Sequence, residues 1–210
     1  MPEIADLRAH MQQLAAVTAV FAVDLGEPQF SFNPQWHSHQ QVATNINGQG
    51  DELYIHFLQC GCLVKGFAHE SEMSPYKRAD RSIWPGVLNN VPSEFKCSLE
   101  ETAFSPETTT FVIWRLTIDN RWSTGDVTFP SHDYRDGSVD LLQPLTFSAA
   151  DFTTWLSENY ETDVDHEIIR SVFDGKPLSD AQMAKLNPTS SIRSIRDAVR
   201  VTGYPIENNG

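Results

Sequence analysis

Positive charge, cysteine and long apolar runs are all scarce in this chain, and each scarcity excludes something. Its 210 residues carry 15 Lys and Arg against 28 Asp and Glu, a net charge of −13. A field of that sign repels phosphate backbones and anionic lipid and favours cationic partners, or serves solubility alone. Nucleic acid and membrane are therefore not expected as partners; a basic protein is. The three cysteines form an odd, small set, and Cys60-Gly61-Cys62 cannot readily close on itself, since a bridge needs Cβ atoms about 3.8 Å apart. Reduced thiols in a reducing compartment fit best. Met1-Pro2-Glu3-Ile4 has neither the basic start nor the apolar core of a signal peptide, and no apolar run nears the roughly 20 residues a bilayer requires. A cytoplasmic location is the expectation.

What is present is an ordinary globular composition. An apolar content of 40% argues against long-range disorder. A chain of this length can bury roughly 70% of its unfolded surface, so no metal or disulfide staple is needed. No period of 20–50 residues repeats and no composition break marks a linker. One domain over 1–210 is expected, with a frayed tail at 205–210.

Periodicity gives the order of elements. Ile4, Leu7, Met11, Leu14 and Phe21 recur at helical spacing, predicting a helix over 3–22 that Gly26-Glu27-Pro28 ends. The period then shortens to two. Strands are predicted at 29–36, 41–46, 53–57 and 62–67, with Asn47-Gly48-Gln49-Gly50 as turn chemistry. Residues 69–108 are irregular, with a short helix near 92–99. A hairpin follows, 111–118 returning over 121–129 through a two-residue Asp119-Asn120 turn, and then a polar loop over 130–138. Ser148 and Asp151 have capping-box spacing ahead of the stripe Phe152, Trp155, Leu156 and Tyr160. Further helices are predicted over 164–173, from Ser179 to Asn187-Pro188, and around Ile192, Ile195 and Val199. Strands between one N-terminal helix and a helical C-terminal stretch define an α+β protein. Its core is an antiparallel sheet of about six strands.

Candidate chemistry gathers in one place. His69, Glu70 and Ser71 follow a strand and enter an irregular loop, where working residues often lie. Consecutive side chains diverge, so the three cannot form a triad among themselves, and no nucleophile-elbow motif surrounds Ser71. They are candidates for ligand contact, and for acid–base or nucleophilic chemistry in a small hydrolase or transferase; capping of the turn is the structural alternative. His37-Ser38-His39, His56, Cys60 and Cys62 could be read as a metal-binding structural protein, but structural-zinc spacing is missing and no metal site is assigned. Lys65 is expected to snorkel from an edge strand. Trp114 and Arg115, opposite Arg121 and Trp122, suit either cross-strand stabilisation or a recognition surface. No cofactor motif occurs.

Charge supplies the last candidate. Asp151, Glu158, Glu161, Asp163, Asp165 and Glu167 run without an intervening Lys or Arg, while Arg193, Arg196 and Arg200 share a face of the last helix. If the two sets do not meet, Asp151, Glu158, Glu161 and Asp163 make a docking surface for a basic protein.

Two resemblances are carried by short segments. Gly61-Cys62-Leu63-Val64-Lys65-Gly66-Phe67, the stretch from His69 to Pro75, and Lys185-Leu186-Asn187-Pro188 together resemble an uncharacterised family of bacterial proteins of about this length. That resemblance implies a shared fold and no activity. Thr146 to Leu156 is similar to a motif of the SMI1/KNR4 group of immunity proteins, which pair a sheet with a C-terminal helix. Their acidic N-terminal helix and Leu-Pro-x-x-Tyr run are not found here. The sequence thus reads as a non-catalytic acidic binding protein, of immunity or regulatory type.

Overall fold

A computed structural model describes residues 1–23, 26–129 and 135–207. The chain divides into two compact units, 1–34 with 144–210, and 35–143. The protein is α+β, with an N-terminal helix, a six-stranded antiparallel sheet and C-terminal helices.

The first unit is built on α1 (Ile4–Ala22), which packs against three later helices. These are α5 (His166–Phe173), α6 (Asp180–Leu186) and α7 (Ile192–Val201). From Leu14 to Phe21 every residue of α1 is buried, including Thr18, whose hydroxyl bonds to the carbonyls of Leu14 and Phe30. Gly26, with φ +97°, accepts the left-handed turn that follows the helix. Before α5 lies α4 (Ala149–Asn159), opened by the capping box foreseen at Ser148 and Asp151. A second capping box, Ser179 with Gln182, opens α6. Of the tail, Pro205–Glu207 pair with Leu178: its N–H donates to the Pro205 carbonyl, and its own carbonyl accepts from Glu207. Residues 208–210 lie outside the described residues.

The sheet runs in simple sequence order: β1 (Phe30–His37), β2 (Gln40–Ile46), β3 (Glu52–Phe57), β4 (Gly61–Phe67), β5 (Phe111–Leu116) and β6 (Ser123–Thr124). In the second unit the pairs Tyr54–Lys65, His56–Leu63, Lys65–Val112 and Leu63–Trp114 put these side chains on one face. The irregular stretch after β4 carries three 3-10 turns, Pro75–Lys77, Ser93–Phe95 and Thr102–Phe104, with the single-turn α2 (Lys96–Leu99) between the last two. Phe95 joins a buried cluster with Leu63, Met73, Val87, Val112 and Trp114. Phe104 stacks on Trp36 and Tyr54 and meets the edge of His56. The stretch thereby covers one face of the sheet.

Three expectations are corrected. The hairpin after β5 is not closed by two residues: Trp114 pairs with Ser123, leaving 117–122 as the connection. The Asp119 carboxylate accepts from the Leu116 N–H and its carbonyl from Arg115 Nε, so the loop is pinned by a side chain where a tight turn was expected. The returning strand is two residues long, because Gly125 lies against the Gly86 carbonyl and Trp84 Nε1 donates to the Thr128 carbonyl, a loop taking the place of a ladder. Of the loop expected over 130–138, residues 130–134 lie outside the described residues. Ser138 begins a short helix, α3 (Ser138–Leu142), that periodicity did not suggest.

The third correction is Lys65. It stands on a central strand at 3% exposure, donating to the carbonyl oxygens of Phe104 at 2.6 Å and Ser105 at 2.9 Å.

Candidate functional site

Three consecutive antiparallel strands put the β2–β3 turn and the exit of β4 at the same end of the sheet, since Glu52 pairs with both Ile46 and Phe67. That topology brings Asp51 to His69. One Asp51 oxygen accepts from the His69 backbone N–H at 2.9 Å and contacts its Nδ1 at 2.8 Å; the other accepts from Asn47 Nδ2. Gly50, with φ +103°, lets the turn close over the imidazole, and a Cβ there would sit 3.1 Å from the ring. His69 Nε2 lies 3.2 Å from a Glu70 oxygen, and Lys77 pairs with the same carboxylate.

These groups edge an open cleft of about 580 Å³ in the second unit, lined by Gln49, Asp51, His69, Glu70, Glu72 and Asp140 among others. Hydrogen bonding to Asp51 raises the His69 pKa above its ordinary value against the opposing desolvation, and the Asp51 and Glu70 charges add to the rise. Burial pushes Asp51 up, but its bonds from His69 and Asn47 outweigh this and leave it below the usual carboxylate range.

Ser71 does not join the pair. Its Oγ donates to the Arg135 carbonyl at 3.1 Å and accepts from the Met73 N–H at 3.0 Å, which closes the turn. Among its described lining residues the cleft therefore holds an oriented imidazole with carboxylates and Arg135 around it, and the Ser71 hydroxyl holds backbone. The sequence reading missed Asp51. The signal available was the hairpin order itself, which places the residue ending the Asn47-Gly48-Gln49-Gly50 turn beside the residue following β4.

The other candidates fall elsewhere. Trp114 is 4% exposed and belongs to the buried cluster, so its ring stabilises the sheet and is not a surface anchor. Arg115 is half-buried and engaged with Asp119. His37 lies 3.5 Å from Glu101, while His56 is buried between Ser98 Oγ and Gln40 Oε1, each at 2.9 Å. Among the described residues no group of three His, Cys, Asp or Glu side chains is arranged to hold a metal ion.

In the first unit the acidic run divides. Asp151 is consumed by the capping box, Asp165 pairs with Lys185, and Glu167 pairs with Arg170. Glu158, Glu161 and Asp163, around the α4–α5 turn, are exposed and make no ion pair among the described residues; Asp163 acts on Lys185 only through space. The arginines of α7 do not reach them: Arg196 pairs with Asp180, Arg200 with Asp197 on its own helix, and Arg193 is exposed.

The fold and cleft define an α+β protein with an acidic, imidazole-bearing cleft in one unit and an acidic turn in the other. No protein family, no curated protein and no solved structure matches the chain. No helix among the described residues is long and apolar enough to cross a membrane.

Proposed function

We propose that this chain is a non-catalytic acidic binding protein, of immunity or regulatory type, whose partner is a basic protein. The observation that carries the reading is the exposed turn of Glu158, Glu161 and Asp163, which make no ion pair among the described residues while Arg196 and Arg200 pair elsewhere. Charges placed this way speed encounter with a cationic surface and fix its orientation, and salt screens them over about 8–10 Å at physiological strength. The engagement of Ser71 with backbone also favours binding over nucleophilic chemistry. The test compares wild type with E158Q/E161Q/D163N as bait in the host lysate at low and moderate salt. A basic protein retained by wild type, and lost from the variant and at higher salt, is the expected result. Identical proteins on both baits would refute the role given to these carboxylates.

A second reading, a small hydrolase or transferase acting through His69 and Glu70, is favoured by one observation. Asp51 orients the imidazole as a carboxylate orients a general base. Screening chromogenic esters and phosphate esters with wild type, H69A and D51N decides it. Turnover that H69A leaves unchanged removes His69 from any chemistry.

A further inference from the structure

Two of the three thiols belong to one structural neighbourhood that no part of the binding reading uses. Cys62 is fully buried on β4. Cys60 stands in the Leu58–Gly61 turn between β3 and β4, half-buried, with its Sγ 4.0 Å from the carbonyl oxygen of Glu94. Cys97 follows Glu94 by three residues, on the next helical turn, and is exposed. The turn and the helical segment are packed together. Cys60 and Leu99 both lie against the cluster that contains Phe95, and a Cβ on Gly61 would come within 3.0 Å of the Phe95 ring. Burial raises the Cys60 pKa, a backbone hydrogen bond opposes this, and the Cys97 and Glu94 charges add to the rise.

We propose that Cys97 and Cys60 are an oxidisable pair, Cys97 the exposed thiol that reacts first with a peroxide and Cys60 the thiol that resolves it to a disulfide. In the first step the Cys97 thiolate attacks one peroxide oxygen. An S–O bond forms, the O–O bond breaks and hydroxide leaves. In the second the Cys60 thiolate attacks the Cys97 sulfur, an S–S bond forms, the S–O bond breaks and a second hydroxide leaves. With the two thiol protons the products are one disulfide and two waters. Peroxide is reduced by the two electrons that the thiols lose. The bond would tie the β3–β4 turn to the segment whose Ser98 and Phe104 sit on His56 and Lys65. That fixes the cover of the sheet face in place.

The test treats the whole reduced protein with stoichiometric hydrogen peroxide, followed by alkylation, intact mass and peptide mapping. Wild type should lose about 2 Da, protect Cys60 and Cys97 together, and yield a Cys60–Cys97 cross-linked peptide that dithiothreitol removes. In C60S the same treatment should stop at a Cys97 sulfenic acid, about 16 Da heavier and trapped by dimedone. In C97S, Cys60 should stay alkylatable. Wild type in which both thiols still alkylate, or in which Cys97 advances to the sulfinic acid with Cys60 free, would overturn the proposal. A cross-link found only between two chains would overturn it as well.

Discussion

The Lys65 ammonium donates a 2.6 Å hydrogen bond to the carbonyl oxygen of Phe104, the last residue of a 3-10 turn whose ring stacks on Tyr54. A second bond reaches the Ser105 carbonyl, and the Nζ stands 5.3 Å from the centre of the Tyr54 ring. A lysine in the middle of a sheet thus closes the end of a turn that covers it. Its three donors find two carbonyls and an aromatic face in place of water.

Replacing Lys65 with Met keeps most of the stem and leaves both carbonyls without their donor. We expect K65M to lose about 2–4 kcal/mol in urea unfolding. Burial lowers the Lys65 pKa to about 8, against the attraction of Glu52 and Glu107, whereas an unfolded lysine titrates near 10.4. Between those values the unfolded chain holds the proton more tightly, so wild-type stability relative to K65M should rise from pH 8 to pH 10. A flat difference over that range would show that the folded ammonium stays charged.

His56 titrates in a lower window. Burial is the main cause that lowers its pKa to about 4, with the His37 charge adding and the Glu101 charge opposing. The neutral ring donates from Nε2 to Gln40 Oε1 and accepts the Ser98 hydroxyl at Nδ1. As pH falls from 6.5 towards 4, the unfolded chain takes up a proton that the folded ring resists. Wild type should lose on the order of 3 kcal/mol across that interval through this group. H56Q, which cannot titrate, is expected to start lower at pH 7 but to lose less by pH 4.5. Equal losses in the two proteins, measured by urea unfolding at both pH values, would remove His56 as the source.

Much of this fold was legible because its signals are local. The Ser148–Asp151 spacing did become a capping box, and alternation over β2, β3 and β4 marked strands to within a residue or two. Long-range pairing was not legible. Lys65 looked like an edge residue because its neighbours Val64 and Gly66 say nothing about a turn forty residues later. Trp114 and Arg115 left cross-strand stabilisation and a recognition surface both open because the cover over Trp114 comes from the irregular stretch around Phe95, which has no period to read. Asp51 escaped for a related reason. Its role as partner of His69 exists only once three strands are laid side by side.

Gly66 and Phe111 are register partners, and the ring lies over the place where a side chain would grow. A Cβ on Gly66 would come within 2.1 Å of the Phe111 ring. G66A should therefore cost about 1–3 kcal/mol through overpacking. In G66A/F111L the smaller side chain frees the space, so the double variant should be more stable than the sum of the single losses predicts, by roughly 0.5–3 kcal/mol. Additive losses in a double-mutant cycle would mean that the ring already swings clear.

The Asp51–His69 pair can be tested apart from any ligand. The hydrogen bond to Asp51 holds the His69 imidazolium at higher pH than an isolated histidine, helped by the Asp51 and Glu70 charges and opposed by desolvation and by Lys77. Any stability from this raised value is complete below the unfolded pKa of about 6.5 and disappears as pH climbs through the folded one. That direction is opposite to His56, so the two rings can be separated by pH. NMR titration of the His69 ring should give a value above 6.5 in wild type, falling towards 6.5 in D51N and by a smaller step in E70Q. D51N also removes the charge that Asn47 contacts, and the backbone of 47–51 should exchange amide hydrogen faster in that variant. If D51N leaves the His69 titration where it was, the 2.8 Å contact does not govern the imidazole, and the cleft has no oriented base to offer a substrate or a partner.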